Sequence, residues 1–206
     1  SIGTSNCTNS NLFCKLGRNY LDKHNLSPAS FIGVQGKDII SFGSGQPDLP
    51  PPKEVYKILP HYSDFKYGLI QGQENLRNSL SKQSPHSTAD SFVITNGASE
   101  ALDLTLRVIS SYDHHLPKKV LITKPYYYSY PHMIKFAGME PVFVNTKNGR
   151  IDMDDLRVKI GGCRAIIINS PSNPTGRVEA VDSLKEIEKI AQAQGTYILS
   201  DEVYKD

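Results

Sequence analysis

Three stretches of the sequence decide the fold: AIII at residues 165–168, VDSLKEIEKIAQAQ at residues 181–194 and YIL at residues 197–199. The two apolar runs are short and nearly all apolar, as strands buried on both faces are. The segment between them has apolar residues at helical spacing, so it predicts an amphipathic helix. A strand, a helix and a second strand in this order predict a parallel sheet that helices cover on both faces.

The same alternation extends toward the N-terminus. Further strands are predicted at 92–95, 120–122 and 142–144, and further helices at 54–59, 74–81, 99–109, 131–137 and 153–160. In helix 99–109 we expect the inward residues to be Ala101, Leu102, Leu104, Thr105 and Val108. Before these elements the sequence predicts a polar tail of about ten residues, a short helix from Leu12 to Asn25 and a strand at 39–42. The fold class is therefore α/β.

Composition narrows the class of function. The chain has 206 residues and a net charge of +2, a near balance that argues against a strong nucleic-acid footprint. Its apolar runs are far too short to span a membrane, and the polar start is unlike a secretory signal. The odd number of cysteines, Cys7, Cys14 and Cys163, predicts reduced thiols in the cytoplasm. We predict no metal site, no nucleic-acid partner and no membrane partner.

Small polar residues follow the predicted strand 92–95. In the segment Thr95 to Ala101 (TNGASEA) backbone N–H groups can close on an anion, and the start of a helix adds a favourable dipole. Ser99 offers a hydroxyl group for the same anion. A capped strand-to-helix turn without a ligand explains the segment equally well. The segment lacks the glycine fingerprints of ATP and dinucleotide sites.

Polar and aromatic residues also follow three later strands. Four tyrosines occur within residues 126–130, and one of them can stack on an aromatic ligand or pack a protein surface. In the segment 169–176 (NSPSNPTG), Asn173 offers an amide, and the bond to Pro174 is a candidate cis peptide, although a simple turn is the alternative. Asp201 either points into the crevice, where burial requires a cation or a donor, or caps a helix in solvent.

Ligands of parallel sheets bind beyond the carboxyl ends of the strands, so these segments are expected to converge. Together they supply an anion cradle, an aromatic ring, an amide donor and a carboxylate. A phosphorylated heteroaromatic cofactor with a ring nitrogen needs these four groups, and pyridoxal phosphate fits that description.

Several motifs, in one order from about residue 39 to the last residue, resemble the class I/II aminotransferases. These are pyridoxal-phosphate enzymes with the aspartate aminotransferase fold, also called fold type I. The combination of NPTG with DEVY is highly specific. The motifs are SGQPD at 44–48, Tyr67 with Gly72 and Leu76-Arg77, TNGAS at 95–99, PYY at 125–127, NPTG at 173–176 and SDEVY at 200–204.

The resemblance implies how the cofactor is bound. Gly97, Ala98 and Ser99 would hold its phosphate, and Tyr127 would stack on its pyridine ring. It also implies a homodimer, because Tyr67 would reach the phosphate of the cofactor in the neighbouring subunit.

The resemblance further implies the catalytic groups. Asp201 would pair with the pyridinium nitrogen and keep it protonated, while Asn173 and Tyr204 would hydrogen-bond the phenolic oxygen of the cofactor. Gly45 would lie beside the substrate carboxylate.

The resemblance covers only the N-terminal half of such an enzyme. It implies an N-terminal arm and small-domain segment at 1–50, then a cofactor-binding large domain at 51–206 that stops before the lysine which binds the cofactor covalently. We therefore expect this chain alone to be inactive. It is a piece of a longer enzyme, one part of a split enzyme or a non-catalytic remnant.

The implied reaction is transfer of an amino group between an amino acid and a 2-oxo acid. Related pyridoxal-phosphate enzymes remain alternatives: a carbon–sulfur lyase, an enzyme like aminocyclopropane-carboxylate synthase, or a decarboxylase. A fragment that only binds cofactor or a partner is another. Transcription regulators with an aminotransferase-like domain are less well supported, because the first 40 residues are too short for a winged helix.

Overall fold

A computed structural model describes residues 49–112 and 115–205, and it shows a parallel sheet between two layers of helices. The helices are α1 (Lys53–Ile58), α2 (Glu74–Ser81), α3 (Gly97–Ser111), α4 (Tyr130–Phe136), α5 (Met153–Ile160) and α6 (Val181–Gln194). The strands are β1 (Lys119–Thr123), β2 (Glu140–Val144), β3 (Thr146–Lys147), β4 (Arg150–Ile151), β5 (Ala165–Asn169) and β6 (Tyr197–Asp201). Short 3-10 turns lie at Leu59–His61 and Ala89–Ser91.

The order of the strands creates a crevice at one end of the sheet. The four parallel strands lie in the order β2-β1-β5-β6, and β3 and β4 form a separate antiparallel hairpin. The chain runs from β1 outward to β2, then returns to the other side of β1 with β5. Loops that leave β1 and β5 therefore diverge, and the carboxyl ends of these two strands border the crevice where ligands of open α/β sheets bind.

Alternate residues of the central strands build two separate cores, because successive side chains of a strand point to opposite faces. Val120 and Ile122 of β1 pack with buried residues of α3 and α4, whereas Leu121 packs with α5 and α6. Strand β5 divides in the same way between Ile167 and Ile166. Both faces are thus covered, as the all-apolar strands predict.

The face that helix α3 turns to the sheet includes Leu102, as predicted, but not two other residues of the predicted set. Its buried residues are Leu102, Leu106, Ile109 and Ser110, whereas Leu104 is 44% exposed and Val108 is 51% exposed. Successive residues of a helix are about 100° apart, so Leu104 lies nearly opposite Leu102. The expectation that Leu104 and Val108 face the core was wrong.

The strand predicted at 92–95 is also wrong. These residues form no strand, Val93 is 59% exposed, and the Ile94 N–H group donates to the carbonyl of Gln71, which lies in a loop. A strand needs a partner strand, and within the described residues none lies beside this segment. The other predicted strands from 120 onward, and all helices predicted from 54 onward, are confirmed within two residues at each end.

Several predictions concern the first 48 residues, namely the polar tail, the short helix, the strand at 39–42 and the role of Gly45, and they lie outside the described residues. The chain divides into two compact units between Lys66 and Tyr67. No helix in the described ranges has both the length and the apolar character needed to cross a bilayer.

Candidate active site

A cleft opens at the carboxyl ends of β1, β5 and β6, beside the first turn of α3. Seven of the residues that the sequence predicts for the cofactor line it, and Leu102, Asn169 and Val203 complete the wall. The seven are Gly97, Ala98, Ser99, Tyr127, Asn173, Asp201 and Tyr204. The structure therefore gathers in one place side chains that lie more than 100 positions apart in the sequence.

The first turn of α3 forms one end of the cleft. A helix leaves the N–H groups of its first turn without carbonyl partners, and the aligned peptide dipoles place a partial positive charge there. Glu100 folds back over the entrance to the helix, where its Oε2 accepts hydrogen bonds from the backbone N–H of Asn96 at 2.5 Å and from its side-chain amide at 3.1 Å. The N–H groups of Ala98 and Ser99 begin the helix at the wall of the cleft. This end of the cleft is suited to an anion.

One tyrosine ring, packed against two others, lines a second part of the cleft. The ring of Tyr127 lines it, with the ring of Tyr128 at 4.8 Å and that of Tyr130 at 5.5 Å between centroids. The interplanar angles are 62° and 78°, so both neighbours meet Tyr127 edge to face. This packing restrains the Tyr127 ring, and it presents an aromatic surface to the cleft.

Asn173 and Tyr204 meet at the opposite side. The amide Nδ2 of Asn173 donates a hydrogen bond to the Tyr204 hydroxyl at 3.1 Å. Asn173 lies in the loop after β5, and its peptide bond to Pro174 is cis, as the sequence suggested. Because an amide and a phenol each keep further hydrogen-bonding capacity, the pair can hold an oxygen atom of a ligand between them.

Asp201 is the buried charge of the cleft. It ends β6, is 8% exposed, and its two carboxylate oxygens accept hydrogen bonds from different donors. Oδ1 accepts from the backbone N–H of Val203 at 3.3 Å, and Oδ2 accepts from the hydroxyl of Tyr130. Burial, reinforced by the neighbouring Asp201, raises the pKa of Tyr130 far above its ordinary range, so the phenol stays protonated and remains a donor.

Two predicted site residues do not line this cleft. Tyr67 is fully exposed, and its predicted contact with a neighbouring subunit stays a prediction. Gly45 lies outside the described residues.

Sequence reasoning missed two residues that shape the site. Tyr130 is one of the four tyrosines at 126–130. It differs from the other three because it begins α4 and is buried in the core, and only the folded structure shows this. The sequence analysis assigns no role to Asn169, although a polar residue that ends an all-apolar strand is itself a signal for the crevice.

Comparisons with known proteins agree with this geometry. The family model for aminotransferase class I and II matches residues 37–206. This chain belongs to the class I and II aminotransferases. Within that family it is 31% identical over 189 residues to a probable aspartate/prephenate aminotransferase of Aquifex aeolicus, a match that covers 86% of this chain and 47% of the relative. It is 30% identical to the aspartate aminotransferase of Bacillus subtilis, over the same shares of both chains.

Solved aminotransferase structures have the same fold. Aspartate aminotransferase from Thermotoga maritima superimposes with a TM-score of 0.72 at 27% identity, covering 94% of this chain and 51% of that one. Alanine aminotransferase from Pyrococcus furiosus gives a TM-score of 0.71 at 28% identity, covering 92% of this chain and 48% of that one. The fold is thus that of aspartate aminotransferase, fold type I. The chain spans about half the length of the curated relatives it matches.

Proposed function

We propose that this chain forms the pyridoxal-phosphate-binding half of an aminotransferase. The observation that carries the proposal is the convergence, in one cleft, of a helix N-terminus, an aromatic surface, an amide–phenol pair and a buried carboxylate. Each of these groups matches one part of the cofactor, and family membership supports the same assignment.

The donor set fits the cofactor. Gly97, Ala98 and Ser99 at the start of α3 would hold the phosphate, where N–H groups and the helix dipole favour an anion. The ring of Tyr127 would lie against the pyridine ring, since both are flat and apolar on their faces. Asn173 and Tyr204, which are hydrogen-bonded to each other, would both bind the phenolic oxygen of the cofactor.

The surroundings of Asp201 support the proposal that it pairs with a protonated ring nitrogen. A buried carboxylate needs a cation or hydrogen-bond donors, and the two donors that it has, Tyr130 and the Val203 amide, are both neutral. Within the described part of the chain no lysine or arginine forms an ion pair with Asp201. A pyridinium N–H would therefore supply the missing positive charge, and the carboxylate would hold the proton on that nitrogen.

The chemistry follows from that proton. When bound, pyridoxal phosphate supplies a conjugated ring that accepts the electrons released as a bond to the substrate Cα breaks. Asp201 would keep the ring nitrogen positive, which would make the ring a better electron acceptor. Tyr130 orients the carboxylate of Asp201, and Tyr204 with Asn173 would bind the phenolic oxygen of the cofactor. Asp201 and Tyr204 are accordingly the catalytic residues that we assign in this chain.

The whole protein would transfer an amino group between an amino acid and a 2-oxo acid. We propose a homodimer in which Tyr67 reaches the cofactor phosphate of the partner copy and Gly45 lies beside the substrate carboxylate. Residues 1–50 would be the arm and small-domain segment, and residues 51–206 the large domain. A cytoplasmic location accords with the buried free thiol of Cys163.

Binding of pyridoxamine 5′-phosphate tests the proposal. This probe has no aldehyde, so it cannot react with surface lysines as pyridoxal phosphate does. We expect saturable binding at one site per chain by titration calorimetry, and much weaker binding of unphosphorylated pyridoxamine. Ser99→Asp should abolish binding, because a carboxylate at the start of α3 repels the phosphate, whereas Ser79→Asp on the exposed surface of α2 should not. Equal affinities for pyridoxamine 5′-phosphate and pyridoxamine, or for wild type and Ser99→Asp, would refute the assignment.

A further inference from the structure

The side chain of Asn169 joins two loops of the cleft. Its Oδ1 accepts a hydrogen bond from the backbone N–H of Asn173 at 2.6 Å. Its Nδ2 donates a hydrogen bond to the backbone carbonyl of Asp201 at 3.1 Å. One amide group therefore uses its acceptor and its donor together, on two residues that are 28 positions apart in the chain and that face the same cleft.

The sheet positions one of these two residues but not the other. Asn169 and Asp201 are register partners at the ends of β5 and β6, so strand pairing fixes the Asp201 backbone. Asn173 lies in a loop that closes on itself, with Ser172 bonded to the carbonyl of Arg177 at 2.9 Å and Gly176 to the carbonyl of Ser172 at 2.7 Å. These bonds shape the loop internally. The short bond from the Asn173 N–H to Asn169 ties its tip to the end of the sheet.

Only an amide of this length makes both bonds. A carboxylate at position 169 would accept from Asn173, but it would turn a lone pair toward the Asp201 carbonyl. A leucine would offer neither a donor nor an acceptor. The side chain of Asn169 is half-buried, so water replaces the lost partners only in part.

We propose that Asn169 is a positioning residue that holds Asn173 at a set place relative to Asp201. The consequence for the cofactor rests on the function proposed above. In that function Asn173 would bind the phenolic oxygen and Asp201 the ring nitrogen, so Asn169 would set the distance between these two residues. It acts through Asn173 and Asp201.

The first test needs no ligand. Amide hydrogen exchange is measured on the full 206-residue chain and on its variants Asn169→Leu and Asn169→Asp, with Asn78→Leu on the exposed face of α2 as the matched control. In Asn169→Leu we expect the Asn173 amide to exchange about ten-fold faster, while amides of Ile167 and Leu199 in the β5–β6 pair keep their rates. Asn169→Asp keeps the acceptor, so Asn173 should stay protected.

An unchanged Asn173 rate in Asn169→Leu would overturn the proposal. So would an equal loss of protection in the β5–β6 amides, since that result means general destabilisation. If Asn169→Leu fails to fold, loss of Asn173 protection in Asn169→Asp overturns the proposal, and retention supports it.

The second test uses pyridoxamine 5′-phosphate. Asn169→Leu should weaken its binding about five- to ten-fold and Asn78→Leu should leave it unchanged. Equal affinities for wild type and Asn169→Leu would overturn the positioning role. If the wild-type chain shows no saturable binding but the exchange results are as expected, the proposed cofactor fails and the role of Asn169 in holding Asn173 stands.

Discussion

The phenol of Tyr130 donates a hydrogen bond to the carboxylate of Asp201, although the two residues are 71 positions apart in the chain. Tyr130 begins helix α4, Asp201 ends strand β6, and both side chains are buried. The contact thus joins the core of one face of the sheet to the floor of the cleft. Two tyrosines of the same segment therefore have different roles: Tyr127 lines the cleft, and Tyr130 in the core hydrogen-bonds the carboxylate of Asp201.

Tyr130→Phe should destabilise the fold by about 1–3 kcal/mol, because it leaves one oxygen of a buried carboxylate without its donor. Tyr112→Phe is the control, since Tyr112 is 62% exposed. Urea denaturation of both variants measures the difference.

The same pair has a pH dependence. Burial and Asp201 raise the pKa of Tyr130 above its ordinary value of 10.0, so the folded chain keeps a proton that the unfolded chain loses. The contribution to stability is therefore complete below pH 10 and falls as the pH rises above it. Above pH 10 the free energy of unfolding, measured by urea denaturation, should fall less steeply with pH in Tyr130→Phe than in wild type. Identical slopes for the two proteins would contradict this interpretation.

Gly72→Ala should lower the free energy of unfolding by more than the cost of placing alanine in a left-handed backbone conformation. Gly72 has a φ of +97°, and a Cβ placed on it would lie 2.5 Å from Cγ1 of Ile94. Gly138→Ala is the matched control, because Gly138 has a φ of +72° and its Cβ would meet only Ser110 Oγ at 4.0 Å.

We expect the control to cost about 1–2 kcal/mol, the backbone penalty, and Gly72→Ala to cost at least 1 kcal/mol more through the clash. Chemical denaturation of the two variants checks this. Equal losses would mean that Ile94 moves aside freely.

Arg164→Lys should cost about 2 kcal/mol or more, even though it keeps the charge. The buried guanidinium donates to the carbonyls of Ile109, Tyr112 and Leu116, at distances from 2.7 to 3.2 Å. An ammonium group lacks the planar set of donors that reaches carbonyls in several directions, so buried acceptors at the end of α3 would lose their partners.

Arg107→Lys serves as the control for Arg164→Lys. Arg107 pairs with Asp103 on the exposed surface of the same helix, and its replacement should leave the thermal midpoint unchanged. A comparable fall in both variants would show that the donor geometry at position 164 is unimportant.

Cys163 should resist thiol reagents in the folded chain. Burial raises the pKa of its thiol from 9.0 to about 11, so at neutral pH almost none of it is the reactive thiolate. With Cys7 and Cys14 replaced by serine, labelling by a thiol reagent at pH 8 should occur only through unfolding. Val158→Cys adds an exposed control thiol in that background, and it should react at the rate of a small free thiol. Equal rates at positions 158 and 163 would contradict the prediction.

Much of the fold follows from local pattern. The first four residues of β5 are all apolar because both faces of the strand are covered. Such a run predicts a buried strand from the sequence alone. The segment 92–95 has the same kind of residues, yet it forms no strand, because pairing depends on a neighbour that local sequence does not specify. In α3, Leu104 and Val108 are apolar but point away from the sheet, so apolar character alone does not identify the buried face of this helix. The strands of the hairpin β3–β4 have two residues each, too few to show a pattern, although the Asn148–Gly149 pair between them is typical of tight turns.

The cleft was predictable where chemistry and position coincide. Asp201 and Asn173 stand at or just after strand ends, so one rule places both. Tyr130 and Asn169 act on other protein groups rather than on a ligand, and their importance depends on distances to residues remote in sequence. No local pattern carries that information.

The connection from α6 to β6 consists of Gly195 and Thr196 alone, and β6 pairs with β5 so that Asp201 is opposite Asn169. Deleting or inserting a single amino acid there would shift the strand by one place and turn Ser200 or Glu202 toward the cleft instead. We therefore expect natural variants of this protein to keep the number of amino acids in this connection unchanged.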